Sequence, residues 1–190
     1  MKKIISLFQR NYETDRLIRN EIVNGAGWVI EGEGVATRKF DGTACAIIDG
    51  KLYKRYDLKE GKQTPEGAIA CMDEPDPNTG HFPFWVPVKV GEPQDRYFLE
   101  AYAKEIDYYN NPLIDGTYEL CGEKVQGNPE AINGHILVPH GKEILEDAPR
   151  DFESIKEYLR NKNIEGIVWH HPTGAMVKVK KKDYGFKRTA

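Results

Sequence analysis

The sequence is short of cysteine, of long apolar runs and of a dominant charge sign, and each shortage excludes something. The three cysteines, Cys45, Cys71 and Cys121, are odd in number. Their wide spacing fits neither a zinc site nor a disulfide framework, so reduced thiols are expected. No apolar run approaches the roughly 18 residues of a membrane-spanning helix. The N-terminal "MKKIISLFQRNYETDR" carries two lysines, but its apolar stretch is too short for a secretory signal. A soluble, cytoplasmic protein with no membrane partner is the expectation. Repeats and low-complexity segments are also missing, which excludes solenoid and linker readings.

With 27 Lys and Arg against 30 Asp and Glu, the formal net charge is −3. No global basic field exists to bind nucleic acid indiscriminately, so an anionic partner must meet a local patch. The tail "VKVKKKDYGFKR", Val177 to Arg188, is such a patch, with six Lys and Arg against one Asp.

What is present suits a folded core: 39% hydrophobic residues, with ten Tyr, seven Phe and three Trp in 190 residues. That length predicts one domain over 1–190, and a monomer is expected. "IIDGKLYKR" is a hairpin signal, because Asp-Gly between strand-like runs suits a primed turn. Residues 58–93 are rich in Pro and Gly and read as loop, with a short strand near Trp85 to Val90. A helix is predicted over 93–106, and a second in "DFESIKEYLRNK" with Asp151 as its cap. "GTYELCGEKV", "HILVPHG", "IEGIVWHH" and "GAMVKVKKK" read as strands. Strands outnumber helices without βαβ alternation, so the fold class is α+β with antiparallel sheets.

A Lys-x-Asp-Gly tetrapeptide such as "KFDG" arises by chance in about one chain in twenty of this length, so its context decides its meaning. Lys39 and Asp41 are two apart and share a strand face, with Gly42 releasing the chain. Arg55 can return to that face from the next strand. Later, Glu123 follows a short apolar strand and a Gly, Glu165 precedes a run of strand formers, and Lys178 and Lys180 project from one side of a strand. These supply a candidate nucleophilic amine, acidic ligands for a metal or a ribose, and phosphate-binding cations. His135, His140, His170 and His171 lack a second ligand cluster, which leaves pocket rim, RNA-phosphate contact and plain surface open. Trp28, Trp85 and Trp169 read as core anchors.

The ordered set "KFDG", "YELCGE", "IEGIV" and "VKVK" resembles motifs I, III, IV and V of the covalent nucleotidyltransferases, the superfamily of ATP-dependent RNA and DNA ligases and mRNA-capping enzymes. The resemblance runs from about Val35 to Lys180. "TACA" stands after the Lys-x-Asp-Gly element, where DNA ligases commonly carry an Arg. With Arg55 on the next strand, this favours the RNA ligases. "GNP" and "PHG" are similar to elements of a small RNA-ligase family.

The resemblance implies a nucleotidyltransferase (ATP-grasp-like adenylation) domain, two antiparallel sheets flanked by helices, with the nucleotide in a groove; the sequence departs from most relatives in stopping soon after motif V, so no C-terminal OB domain is expected. It implies ATP as AMP donor, Mg²⁺ or Mn²⁺ as cofactor, and RNA 5′-phosphate and 3′-hydroxyl ends as substrate, with an accessory protein as a possible source of RNA specificity. Lys39 is then the nucleophile that forms a lysyl-AMP. Glu165 binds the metal, Glu123 contacts metal or ribose, and Lys178 and Lys180 hold the α-phosphate. Asp41, Gly42 and Arg55 line the nucleotide site. Backbone around Thr37 and Arg38 meets the adenine edge, and Ile136, Val138 or Val168 stacks on the adenine face.

Overall fold

A computed structural model describes residues 4–59, 61–76 and 80–188. Its strands are β1 Ile5–Ser6, β2 Phe8–Arg10, β3 Ile18–Ile22, β4 Val35–Lys39, β5 Thr43–Ile48 and β6 Lys51–Leu58. They continue as β7 Ile69–Ala70, β8 Phe82–Pro87, β9 Gly116–Gly122, β10 His135–Pro139, β11 Gly166–His170 and β12 Met176–Lys180. The α-helices are α1 Arg96–Tyr102 and α2 Phe152–Asn161. The class is α+β, as the strand-rich pattern predicts. The chain divides into two compact units: Asp41–His140, and Ile4–Phe40 together with 141–188.

The unit Asp41–His140 holds a six-stranded antiparallel sheet in the order β10-β9-β5-β6-β8-β7. The predicted hairpin is β5–β6. Asp49 and Gly50 both have positive φ, +50° and +67°, as a type I′ turn requires. The Asp115 carboxylate accepts from both turn amides, at 2.7 and 2.9 Å. On one sheet face Cys45, Ile47, Leu52, Tyr118, Leu120 and Leu137 pack with Phe98 and Ala101 of α1. That helix is shorter than the predicted 93–106. Pro93–Asp95 form a 3₁₀ turn before it, and beyond it Glu105 turns to φ +58° while Ile106 bridges to Pro112. The strand predicted near Trp85 begins earlier, at Phe82, and ends at Pro87, with one further backbone bond to β6 from the Val88 N–H to the Leu52 carbonyl at 3.0 Å. The segment read as loop also contributes the short edge strand β7.

The other unit holds a four-stranded sheet, β1-β12-β11-β4, and the small ribbon β2-β3. The prediction of two wholly antiparallel sheets is corrected here by the third sheet and by β1, which runs parallel to β12. The apolar residues of these strands alternate. Ala36, Ile167, Trp169, Val177 and Val179 are buried together with Ile155 and Leu159 of α2, each large side chain contributing about 1.5–3 kcal/mol of burial. Asp151 caps α2 as predicted, accepting from the Ser154 N–H at 3.0 Å.

Candidate functional site

In the second unit the alternation that buries one sheet face aims lysines from the other. Gly166 of β11 pairs with Lys39 of β4 on one side and Lys180 of β12 on the other. Two residues along, Val168 stands between Thr37 and Lys178. Because side chains on a strand alternate, Lys39, Lys178, Lys180, Thr37 and Val168 share the face opposite the core. Gly166 keeps the middle of this row open. A Cβ there would lie 2.1 Å from the Val179 carbonyl oxygen, which no side chain permits.

Glu165, immediately before that glycine, is 7% exposed and closes the cluster. Its Oε2 accepts from Lys39 Nζ at 2.5 Å and its Oε1 pairs with Lys180 Nζ at 2.8 Å. Burial pushes the Glu165 carboxyl up, but the two ammoniums outweigh burial and hold it below the usual carboxylate range. The Lys178 ammonium is pulled down to about 8, first by burial and then by Lys180 and Lys39. Three amines thus stand around one carboxylate on this face.

Thr37 and Val168 are buried within the sheet. The Thr37 hydroxyl donates to the Val168 carbonyl at 3.2 Å and lies 2.9 Å from His170 Nε2. The Arg38 N–H donates to the Glu143 carbonyl at 2.8 Å, and its guanidinium pairs with the Glu143 carboxylate at 3.2 Å and lies over the Phe40 ring. His171 is held by Glu33 and packs on the half-buried Trp28, whereas Trp169 is a core residue.

In the first unit, the Asp41 N–H donates to Glu130 at 2.9 Å and the Gly42 N–H to Glu119 at 3.2 Å. Arg55 lies opposite Trp85 in the β6–β8 ladder, with its guanidinium toward the indole, while Lys54 points to the helix side and pairs with the buried Asp95. Ile136 and Val138 alternate with the core residue Leu137, so they share the sheet face of Glu119 and Arg55. Glu123 is exposed and its carboxylate accepts from the Gly134 N–H at 3.0 Å.

Sequence reasoning missed Glu119. It is buried, with Oε2 2.8 Å from His140 Nε2, whose other nitrogen lies 3.0 Å from the Thr117 hydroxyl. The one available signal was a charge set between Tyr118 and Leu120 in an apolar strand.

The family model described as RNA ligase 1 matches residues 107–189, a span that holds Glu119, Glu123, Glu165, Lys178 and Lys180. RNA ligase 1 of Mus musculus is 28% identical, the match covering 80% of this chain and 67% of that protein. The Rattus norvegicus protein matches to the same extents. RNA ligase 1 of Pongo abelii is 30% identical over 58% of this chain and 42% of that protein. The chain is similar to RNA ligase 1 over these spans. The motif resemblance to the RNA ligases is therefore borne out. Among the described residues no helix is long and apolar enough to cross a membrane.

Proposed function

We propose that this protein is an ATP-dependent RNA ligase built on a nucleotidyltransferase fold, and that it seals RNA 5′-phosphate and 3′-hydroxyl ends through a lysyl-AMP on Lys39. The observation that carries this reading is the cluster of Lys39, Lys178 and Lys180 around Glu165 on one sheet face. It offers a nucleophilic amine beside a carboxylate and two further cations, which is what transfer of a nucleotidyl group needs.

Lys39 must shed one proton to expose its lone pair and a second once the P–N bond forms. Glu165 Oε2, at 2.5 Å, is the acceptor within reach of the first proton, and solvent takes the second. The new bond joins Lys39 Nζ to the α-phosphorus of ATP, and the bond to pyrophosphate breaks, the electron pair leaving with it. Lys178 and Lys180 stabilise the charge on the phosphate oxygens. An oxygen of the RNA 5′-phosphate then displaces Lys39 from AMP, and the 3′-hydroxyl attacks that phosphate and releases AMP.

Mg²⁺ or Mn²⁺ fits this face in one way. Among the described residues no group of three His, Cys, Asp or Glu forms a cage, and Mg²⁺ in phosphoryl-transfer sites commonly takes only one or two carboxylates, with substrate phosphates and water completing its shell. Glu165 would supply such a carboxylate in exchange for its pairs with Lys39 and Lys180, and a bound ion would neutralise phosphate charge. Thr37, Arg38, Asp41, Gly42, Arg55, Ile136, Val138 and Val168 are proposed nucleotide contacts. For a ribose or metal ligand, Glu123 and Glu119 are separated by Glu123→Gln and Glu119→Gln measured for ATP affinity.

The reading is tested with matched nicked RNA, RNA stem-loop and nicked DNA substrates, with ATP or GTP. Sealing of an RNA substrate with ATP is expected. Preference for the DNA nick, or use of GTP in place of ATP, would overturn it.

A further inference from the structure

The basic tail is only partly absorbed by the lysine cluster. After Lys180 the chain turns through Lys181–Tyr184, and Gly185, at φ +82°, ends that turn in the left-handed region. Residues 185–187 thereby come against the C-terminal end of α2. They enclose a cleft of about 390 Å³ whose lining holds four cations, Arg160, Lys162, Lys181 and Lys187, two amides, Asn161 and Asn163, and no carboxylate. In a chain of net charge −3, this is a local concentration of positive charge.

The cations are fixed to different degrees. Lys181 is buried, and its amine donates to the carbonyls of Arg160 and Lys162, at 3.3 and 2.9 Å, which ties the tail to the helix end. Arg160 lies over the Phe186 ring and pairs with Glu157 outside the cleft, and Lys162 pairs with Asp147. Among the described residues no carboxylate pairs with Lys187. The side chains around the cleft carry cations and amides, the chemistry that holds phosphate oxygens without reading bases. The walls are also the two segments that run into Glu165 and out of Lys180, joined by the Lys181 N–H donating to the Glu165 carbonyl at 2.7 Å.

We propose that this cleft is a docking surface for the phosphodiester backbone of the RNA substrate, so that part of the RNA recognition is built into this unit. The choice of RNA rests on the ligase reading above. Lys162→Gln combined with Lys187→Glu tests it in the full chain, with fluorescence anisotropy of a labelled single-stranded RNA as the readout. Binding is expected to weaken by about tenfold or more. The slope of log affinity against log salt should become shallower by about 1.4, the value for two lost phosphate contacts on a single strand. Formation of the AMP adduct from ATP alone should stay unchanged.

Lys182→Glu, exposed and outside the cleft, serves as the charge control. Unchanged RNA affinity and slope in the double variant would overturn the proposal, as would an equal loss in Lys182→Glu. So would a double variant that loses binding to phosphatidylserine vesicles while keeping its RNA affinity. If the unaltered protein forms no AMP adduct, the ligase reading fails, while the cleft is still judged by RNA affinity.

Discussion

Glu165 holds the lysine cluster together. It is nearly buried, it neutralises two ammoniums at once, and its backbone carbonyl accepts from Lys181. Replacing it by Gln leaves Lys39 and Lys180 repelling each other with no counter-charge. Glu165→Gln is expected to cost about 3 kcal/mol of stability, read from the denaturant midpoint. It should also slow AMP-adduct formation by about 100-fold or more, since the acceptor beside Lys39 is lost. Lys178 sets a pH dependence. Its amine titrates at about 8 instead of 10.5, so in the free protein the cation is present below that value and lost above it. The unfolded chain therefore binds more protons between about 8 and 10.5, and the Lys178 contribution makes stability rise with pH across that window. ATP affinity should move the other way, weakening as pH rises through about 8, and Lys178→Arg, which stays charged, should remove that fall. An ATP-binding titration from pH 7 to 9 would decide it; identical profiles for the two proteins would exclude Lys178 as a phosphate ligand.

At the scale of elements, the row Lys39–Gly166–Lys180 exists because β11 runs between β4 and β12 and carries no side chain at its first residue, Gly166. Gly166→Ala would press a methyl against the Val179 carbonyl. The expected outcome is a stability loss of about 1–3 kcal/mol or more, with weaker adduct formation because both lysines shift. Unaltered thermal unfolding would show that the strands can separate freely there. Much of this level was legible in the sequence. Asp49-Gly50 announced its hairpin, Asp151 its helix, and the Met-Val-Lys-Val-Lys alternation the sharing of one face by Lys178 and Lys180. What was not legible depended on distant pairing. Nothing in "IS" of Ile5–Ser6 shows that it adds parallel to β12, and α1 is cut short by a bridge from Ile106 to Pro112 that local propensity does not encode.

At the scale of the whole molecule, one compact unit takes both ends of the described chain and the other takes its middle. Lys39 and Glu165 are 126 residues apart in sequence and hydrogen-bonded in space. The order of motifs made both residues candidates, but spacing could not show that one carboxylate would bridge two lysines. Glu119 was hidden for a related reason. Its meaning comes from Gly42 and His140, on other segments, and the strand around it reads as plain core. The charge of the whole chain said only that an anion must be met locally, and the lysine face and the basic cleft are where that charge collects.

The most direct measurement of the central claim is the intact mass of the protein after incubation with ATP and Mg²⁺, beside Lys39→Ala treated identically. The expected result is a gain of one AMP in the unaltered protein, on Lys39, and none in the variant. An unlabelled protein, or equal labelling of both, would contradict it.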